Sequence, residues 1–319
     1  MVRFPCHLVF SLAVLVIAAC GARAAEPPRI VASILPLHGL AAAVTEGVTE
    51  PSLLVPPGSS PHTFQLRPSD AERLEGADLV VWVGEALETF LVKPLRTLGA
   101  KPRILAVSEL PGVTLLPVRE GGVWAKHRHD HGHEHERARR GGKEHAIDGH
   151  LWLDPENGIA IVRALAEILA ERDPERAAIY RANAQQEVRR IEALDRELAA
   201  KLAAVKDTPF LVLHDAYQYF EKRYGLSAVG SITVAPDRQP SAKRLAQLRK
   251  TIQERRAVCV FAEPQFRAAV IASVVEGTGA RTGVLDPEGA PPLRPGPAAY
   301  RTLLRNLGED LLRCLAPGA

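Results

Sequence analysis

Residues 173–207 read DPERAAIYRANAQQEVRRIEALDRELAAKLAAVKD and contain no glycine or proline after Pro174. An aspartate followed by proline is a typical helix start, with the proline at the first helical position. Apolar residues then recur near helical spacing, at Ile179, Ile191, Leu194, Leu198 and Leu202. A helix of this length would extend roughly 45 Å at 1.5 Å per residue. The stretch therefore predicts one long helix, over about residues 173–206, that runs down the whole side of the molecule.

On both sides of this helix, short apolar runs alternate with stretches of helical period. The pattern predicts eight strands, four in each half: Arg29–Ile34, Ser52–Val55, Asp78–Val83, Ile104–Val107, Phe210–Leu213, Ala228–Ile232, Ala257–Ala262 and Thr282–Leu285. Such alternation is typical of parallel sheets with crossover helices, and 319 residues exceed what one core of about 250–300 residues holds. We predict an α/β fold with two lobes, residues 26–172 and 207–319. Each lobe has a roughly four-stranded parallel sheet flanked by helices, and the long helix links the two.

The first 25 residues have the pattern of an export signal. Arg3 provides a basic start, Leu8–Ala19 is apolar, and small residues follow through Ala25. The apolar run is shorter than the ~20 residues that span a bilayer. The sequence thus predicts export to the periplasm as a soluble protein, with lipid anchoring at Cys20 as the alternative.

Beyond the signal, the chain has two cysteines, Cys259 and Cys314. An even pair in an oxidising compartment is most simply a disulfide, and this one would tie a predicted buried strand to the last helix. Two unrelated core thiols are the alternative.

Charge composition excludes one class of partner. Lys and Arg number 40 and Asp and Glu number 37, a formal charge of +3. This balance is too even to indicate nucleic-acid binding.

One segment, residues 126–145, breaks the α/β pattern. It lies within a loop that we predict at about residues 118–147. Its histidines alternate with charged residues and glycine, at His127, His129, His131, His133, His135 and His145. No apolar residue there could bury the segment, so we predict a surface loop. Closely spaced imidazoles bind zinc, copper or nickel, and an entropic cost of ordering predicts weaker binding than in a preformed site. A solvated spacer without a metal role is the alternative.

Four other residues lie where parallel sheets present side chains to a ligand, at or beyond the carboxyl ends of strands. His62 follows the turn after the second strand, His214 and Asp286 end their strands, and His150 follows the histidine-rich loop. Three neutral imidazoles and one carboxylate form a coherent tetrahedral zinc shell. Each histidine alone could equally be a core residue, and Asp286 could instead cap the turn at Pro287.

At this point the sequence resembles a known family. The motifs that show the resemblance are Pro56-Pro57-Gly58-Ser59-Ser60-Pro61-His62-Thr63-Phe64, Ala77-Asp78-Leu79-Val80-Val81-Trp82-Val83-Gly84, the histidine-rich insertion, His150-Leu151-Trp152-Leu153-Asp154-Pro155, His214-Asp215-Ala216-Tyr217, Phe261-Ala262-Glu263-Pro264-Gln265-Phe266 and Leu285-Asp286-Pro287. Together they resemble the zinc-binding receptor subunit of bacterial high-affinity zinc ABC importers, over nearly the whole mature chain.

The resemblance implies that His62, His150 and His214 bind the cargo ion, Zn²⁺, in a cleft between two α/β lobes. An acidic residue at the place of Asp286 supplies or approaches the fourth position in this superfamily. Some zinc receptors have glutamate directly before the first histidine, and this chain has Pro61 there, which leaves Asp286 or a water. The family also implies a membrane permease as partner, a monomeric receptor, and the disulfide between Cys259 and Cys314.

Several alternatives stay open at this stage. Glu263 and Asp215 could each hydrogen-bond a ligand histidine or serve a local structural role, and His38 is expected to be a packing or cleft-wall residue. A manganese or iron receptor of the same fold is the closer functional alternative. A zinc hydrolase is the more distant one, because three histidines also describe catalytic zinc, but the chain lacks an HExxH motif.

Overall fold

The computed structural model describes residues 26–98, 102–119, 124, 146–233, 241–266 and 269–316. Two parallel four-stranded sheets form its frame. The first has the order β2-β1-β3-β4, with β1 at Ile30–Ala32, β2 at Ser52–Leu53, β3 at Leu79–Trp82 and β4 at Arg103–Ala106. The second has the order β6-β5-β7-β8, with β5 at Phe210–His214, β6 at Ala228–Thr233, β7 at Cys259–Ala262 and β8 at Arg281–Val284. All eight predicted strands are confirmed, as is the two-lobe α/β class.

Helices connect the strands and cover the sheets. In the first half they are α1 (Leu35–Val44), α2 (Pro68–Gly76), α3 (Thr89–Thr97) and α4 (Pro155–Arg172). In the second half they are α6 (Gln218–Tyr224), α7 (Ala242–Arg255), α8 (Ala269–Val275) and α9 (Ala299–Leu315), and α5 (Ala177–Leu202) lies between the halves. Ser241 caps the start of α7, since its side chain accepts a hydrogen bond from the amide of Arg244.

The linker helix α5 lies inside the range predicted for it but is shorter at both ends. Pro174–Arg176 form a separate 3₁₀ turn, and the α-helix has 26 residues, which corresponds to roughly 39 Å. The turn is stabilised at Asp173, whose carboxylate accepts hydrogen bonds from Arg176 and from the hydroxyl of Tyr180. These bonds use the aspartate side chain that the sequence pattern assigned to capping a continuous helix.

One hydrophobic core runs through both lobes. Its cluster of buried residues includes Val81 of β3, Ile191 of α5, Val212 of β5 and Leu307 of α9. Helix α9 comes from the end of the chain, yet it packs against α1 of the first lobe and against α5. The lobes therefore share apolar packing as well as a linker helix.

The predicted disulfide is present between Cys259 in β7 and Cys314 in α9, with their Cα atoms 6.2 Å apart. In the part of the chain that the structure describes, we find no helix with the length and apolar character needed to cross a membrane.

Candidate metal centre

Three histidines from distant parts of the sequence meet in the cleft between the lobes. His62 lies in the loop after β2, His150 directly precedes the 3₁₀ turn Leu151–Leu153, and His214 is the last residue of β5. The Nε2 atom of His150 is 3.3 Å from the Nε2 atom of His62 and 3.3 Å from that of His214. Within the described residues, these three side chains form the one group whose possible ligand atoms all lie within 4.8 Å of one another.

The spacing of these nitrogens matches a tetrahedral ion. With bonds of about 2.0–2.1 Å from zinc to nitrogen, the edge of the tetrahedron is roughly 3.3 Å. Both Nε2 separations at His150 have that length. These two separations therefore match the edge of a tetrahedral zinc shell.

Two of the three rings are each oriented by a buried carboxylate of their own. The Nδ1 atom of His150 lies 2.8 Å from Oδ1 of Asp148, and the Nδ1 atom of His214 lies 2.7 Å from Oε1 of Glu263. An ionised carboxylate only accepts hydrogen bonds, so each Nδ1 carries its hydrogen and each Nε2 presents its lone pair to the cleft. The role of Glu263 that the sequence left open is thus a hydrogen bond to His214.

Glu263 also shifts the protonation of its partner. Burial lowers the pKa of His214, but the charge and hydrogen bond of Glu263, together with the charges of Asp215 and Asp148, raise it above its ordinary value. A more basic imidazole is a stronger donor to a metal ion, although the proton also competes better for it.

His62 is the exposed member of the group, whereas His150 and His214 are buried. Its loop lines an open pocket of about 430 Å³ together with Gln265 of the opposite lobe. Phe266 closes another side, with its ring centroid 6.1 Å from that of His214. The group of histidines is thus exposed to solvent at His62 and contacts an aromatic ring at His214.

The structure places Asp286 in the loop after β8, with its carboxylate bound to that loop. Its Oδ1 accepts hydrogen bonds from Gln265 and from the amides of Glu288 and Gly289, and its Oδ2 accepts one from the amide of Ala290. The group of clustered ligand atoms does not include it. Its role as a fourth ligand stays a prediction.

Of the remaining residues discussed from the sequence, His38 and Asp215 lie in the part of the chain that the structure describes. His38 is buried and hydrogen-bonds the carbonyl of Pro51, as expected for a packing residue. Asp215 does not orient a histidine through any bond described for it, and instead forms an ion pair with Arg119. The six histidines of the histidine-rich loop, His127 to His145, and the signal residues lie outside the described residues.

Sequence reasoning missed Asp148 and Arg119. A signal for Asp148 was present, because it stands two residues before His150, close enough for its carboxylate to bond both the ring and the backbone amide of that histidine. Arg119 had no such signal, since its partners lie about a hundred residues away in the sequence.

Comparison with known proteins places the chain among relatives of similar length. A family model described as "ZnuA: Zinc-uptake complex component A periplasmic" matches residues 30–314. The chain is 44% identical to the high-affinity zinc uptake system protein ZnuA of Brucella suis, over 97% of this chain and 98% of that protein. It is 39% identical to the corresponding protein of Yersinia pestis, over 90% and 91% of the two chains.

Solved structures agree on the fold. A crystal structure of ZnuA has a TM-score of 0.75 at 24% identity, and covers 91% of this chain and 100% of its own. The periplasmic zinc-binding protein TroA from Treponema pallidum has a TM-score of 0.74 at 22% identity, covering 91% and 100%. Identities this low show a common fold, whereas the family model and the closer sequence relatives establish the family. The chain belongs to the ZnuA family of periplasmic zinc-uptake components.

Proposed function

We propose that this chain is an extracytoplasmic receptor that captures Zn²⁺ in the cleft between its lobes and delivers it to the permease of an ABC-type zinc importer. The observation that carries the proposal is the cluster of His62, His150 and His214, in which the Nε2 atom of His150 lies 3.3 Å from that of each of the other two. The names of its relatives, which are high-affinity zinc uptake proteins, support it.

The donor set favours zinc over harder ions. Three neutral imidazoles suit a borderline ion, whereas manganese and magnesium prefer sites rich in oxygen. The fourth position belongs to Asp286 or to a water in this proposal. Asp286 can approach the ion only by giving up hydrogen bonds within its own loop, which supports the water.

The chemistry is capture and release without bond cleavage. Asp148 and Glu263 hold two rings with their lone pairs toward the cleft, so little ordering cost remains when the ion enters. The exposed His62 lies on the open side, where an ion arrives and leaves. We assign no catalytic role to the centre.

Outside the cleft, we propose that residues 1–25 direct export and that the mature receptor is monomeric and periplasmic. The histidine-rich segment serves as a weaker, auxiliary zinc binder in this proposal. The division of the chain into residues 26–172, 173–206 and 207–319 remains a prediction.

A competition titration with a chromophoric zinc chelator tests the assignment. His214→Ala is expected to weaken cleft binding by at least a hundredfold, because it removes one of three protein ligands and leaves Glu263 buried without its partner. A variant lacking residues 128–144 is expected to keep the tight binding step and lose only weaker ones. Equal losses in the two variants would refute the proposed hierarchy.

A further inference from the structure

Arg119 joins the two lobes beside the metal centre. Its Nε lies 3.1 and 3.0 Å from the two carboxylate oxygens of Asp215, and its two terminal nitrogens lie 2.6 and 3.1 Å from those of Glu221. The guanidinium also stacks on the ring of Trp124, 3.6 Å from its centroid. Its side chain is 20% exposed, and those of Asp215 and Glu221 are 10% and 6% exposed. This is a fork-shaped, largely desolvated interaction, in which arginine has a geometry that lysine does not reproduce.

The segment that carries Arg119 pairs with the segment that leads to His150. The amide of Val118 donates to the carbonyl of Ala146 at 2.8 Å, and the amide of Asp148 donates to the carbonyl of Leu116 at 2.9 Å. We call this two-stranded element, residues 116–119 and 146–148, the stem. The stem ends at Asp148, whose carboxylate orients the ring of His150.

A hydroxyl from the second lobe closes the stem. Tyr219 in α6 accepts a hydrogen bond from the amide of Leu116 at 2.9 Å and donates one to the carbonyl of Asp148 at 2.9 Å. Helix α6 also carries Glu221, and the loop before it carries Asp215, directly after His214. The stem is therefore attached to the second lobe at both ends, and each attachment lies next to a ligand histidine.

We propose that Arg119 is a positioning residue of the metal centre, which sets the separation of His150 and His214 across the cleft by clamping the stem to the second lobe. The proposal rests on the three-histidine site proposed above. Arg119 does not contact the ion in this scheme. It acts through Asp215 on one ligand and through the stem and Asp148 on the other.

A purely electrostatic role and a positioning role for Arg119 predict opposite effects of its removal on zinc affinity. Arg119 is a positive charge close to a cation site, so its removal would strengthen zinc binding if charge were its only contribution. If Arg119 positions the ligands, its removal weakens binding. The sign of the change in affinity therefore distinguishes the two roles.

The test uses the full mature chain with the variants Arg119→Ala and Arg119→Lys. Lysine keeps the charge and loses the fork, so it separates positioning from charge even if the alanine variant does not fold. Both variants are expected to bind zinc on the order of tenfold more weakly, as partners behind metal ligands do when they are removed. With Co²⁺ in place of zinc, the visible absorption band of the tetrahedral ion is expected to shift or weaken in both variants.

Arg223 in α6 offers a matched control. Its guanidinium forms ion pairs with Asp195 of α5 and Glu156 of α4 and is 30% exposed, similar to Arg119. Arg223→Lys is expected to lower the melting temperature of the metal-free protein while zinc affinity and the Co²⁺ spectrum stay those of the unaltered chain.

The outcomes separate this inference from the proposed function. Unchanged or tighter zinc binding in Arg119→Lys would overturn the positioning role, provided that His214→Ala has lost its binding. A chain in which His214→Ala binds zinc as tightly as the unaltered protein would instead overturn the site itself.

Discussion

In the proposed zinc site, a proton on the ring of His214 would prevent that residue from binding the ion. Only the neutral ring donates to zinc, and Glu263 raises the pKa of this ring above its ordinary value of about 6.5. We therefore expect zinc affinity to be constant in alkaline buffer and to fall as pH decreases through a value above 6.5. Competition titrations between pH 8 and 5.5 would measure this decline. Zinc affinity that is the same at both limits would contradict it.

The carboxylate behind His214 gives a second prediction at this scale. Glu263→Gln keeps an acceptor for the Nδ1 hydrogen but removes the charge, so the imidazole becomes a weaker donor and its pKa falls. We expect zinc affinity at neutral pH to drop by roughly tenfold to a hundredfold, and the decline with pH to move to lower values. Glu254→Gln, at an exposed glutamate in α7, is the control and should change neither quantity.

Residue by residue, the sequence predicted which histidines meet in the cleft better than it predicted the residues that hold them there. His62, His150 and His214 could be recognised because strand ends and motifs place them at one edge of each sheet. Glu263 was left between two roles, since its position beside Pro264 fits a helix start as well as a bond to a ligand. Arg119 could not be found at all, because its partners are decided by how the two lobes pack.

Among the elements, the turn between β3 and α3 depends on one buried acid. Glu88 is fully buried and accepts hydrogen bonds from the hydroxyl of Ser33 and from the amides of Val83 and Gly84. Burial raises the pKa of Glu88 to about 7, although these three donors favour the ionised form. The carboxyl group therefore joins the residues that directly follow β1 and β3.

Removing that carboxyl group should destabilise the first lobe. Glu88→Ala leaves one hydroxyl and two amides buried without acceptors, which we expect to cost roughly 3 kcal/mol or more in the free energy of unfolding. Urea denaturation of the metal-free protein would measure it. Glu85→Ala, in the same turn but in an exposed ion pair with Arg96, should cost less than about 1 kcal/mol. Equal losses in the two variants would be evidence against the buried network.

The sequence predicted the elements well but not this turn. Apolar runs indicate strands because a parallel strand is buried on both faces, and the predicted ends of all eight lie within two residues of the observed ones. In contrast, Glu85 and Glu88 look alike in sequence, and only the packing of β1 against β3 decides which of them turns inward. Helix α5 begins later than predicted for a related reason, since Asp173 bonds to Arg176 and Tyr180 and so favours a separate turn.

On the scale of the whole molecule, several connections oppose a hinge between the lobes. Besides α5 and the shared core, the indole of Trp152 in the first lobe donates to the carbonyl of Pro287 in the second, at 2.9 Å. The hydroxyl of Tyr300 in α9 donates to the carbonyl of Trp152, also at 2.9 Å. Both side chains are completely buried. These bonds lie immediately beneath His150, so a wide opening of the cleft would have to break them.

We therefore expect zinc to bind with little change in overall shape. Opening the lobes would expose apolar surface of their common core, which costs free energy. Small-angle scattering should give the same radius of gyration, roughly 19 Å for a compact chain of this length, with and without zinc. The same measurement on the variant lacking residues 128–144 separates the response of the cleft from that of the histidine-rich segment. A compaction on zinc binding that persists in this variant would show that the lobes close as rigid bodies, and it would contradict the prediction.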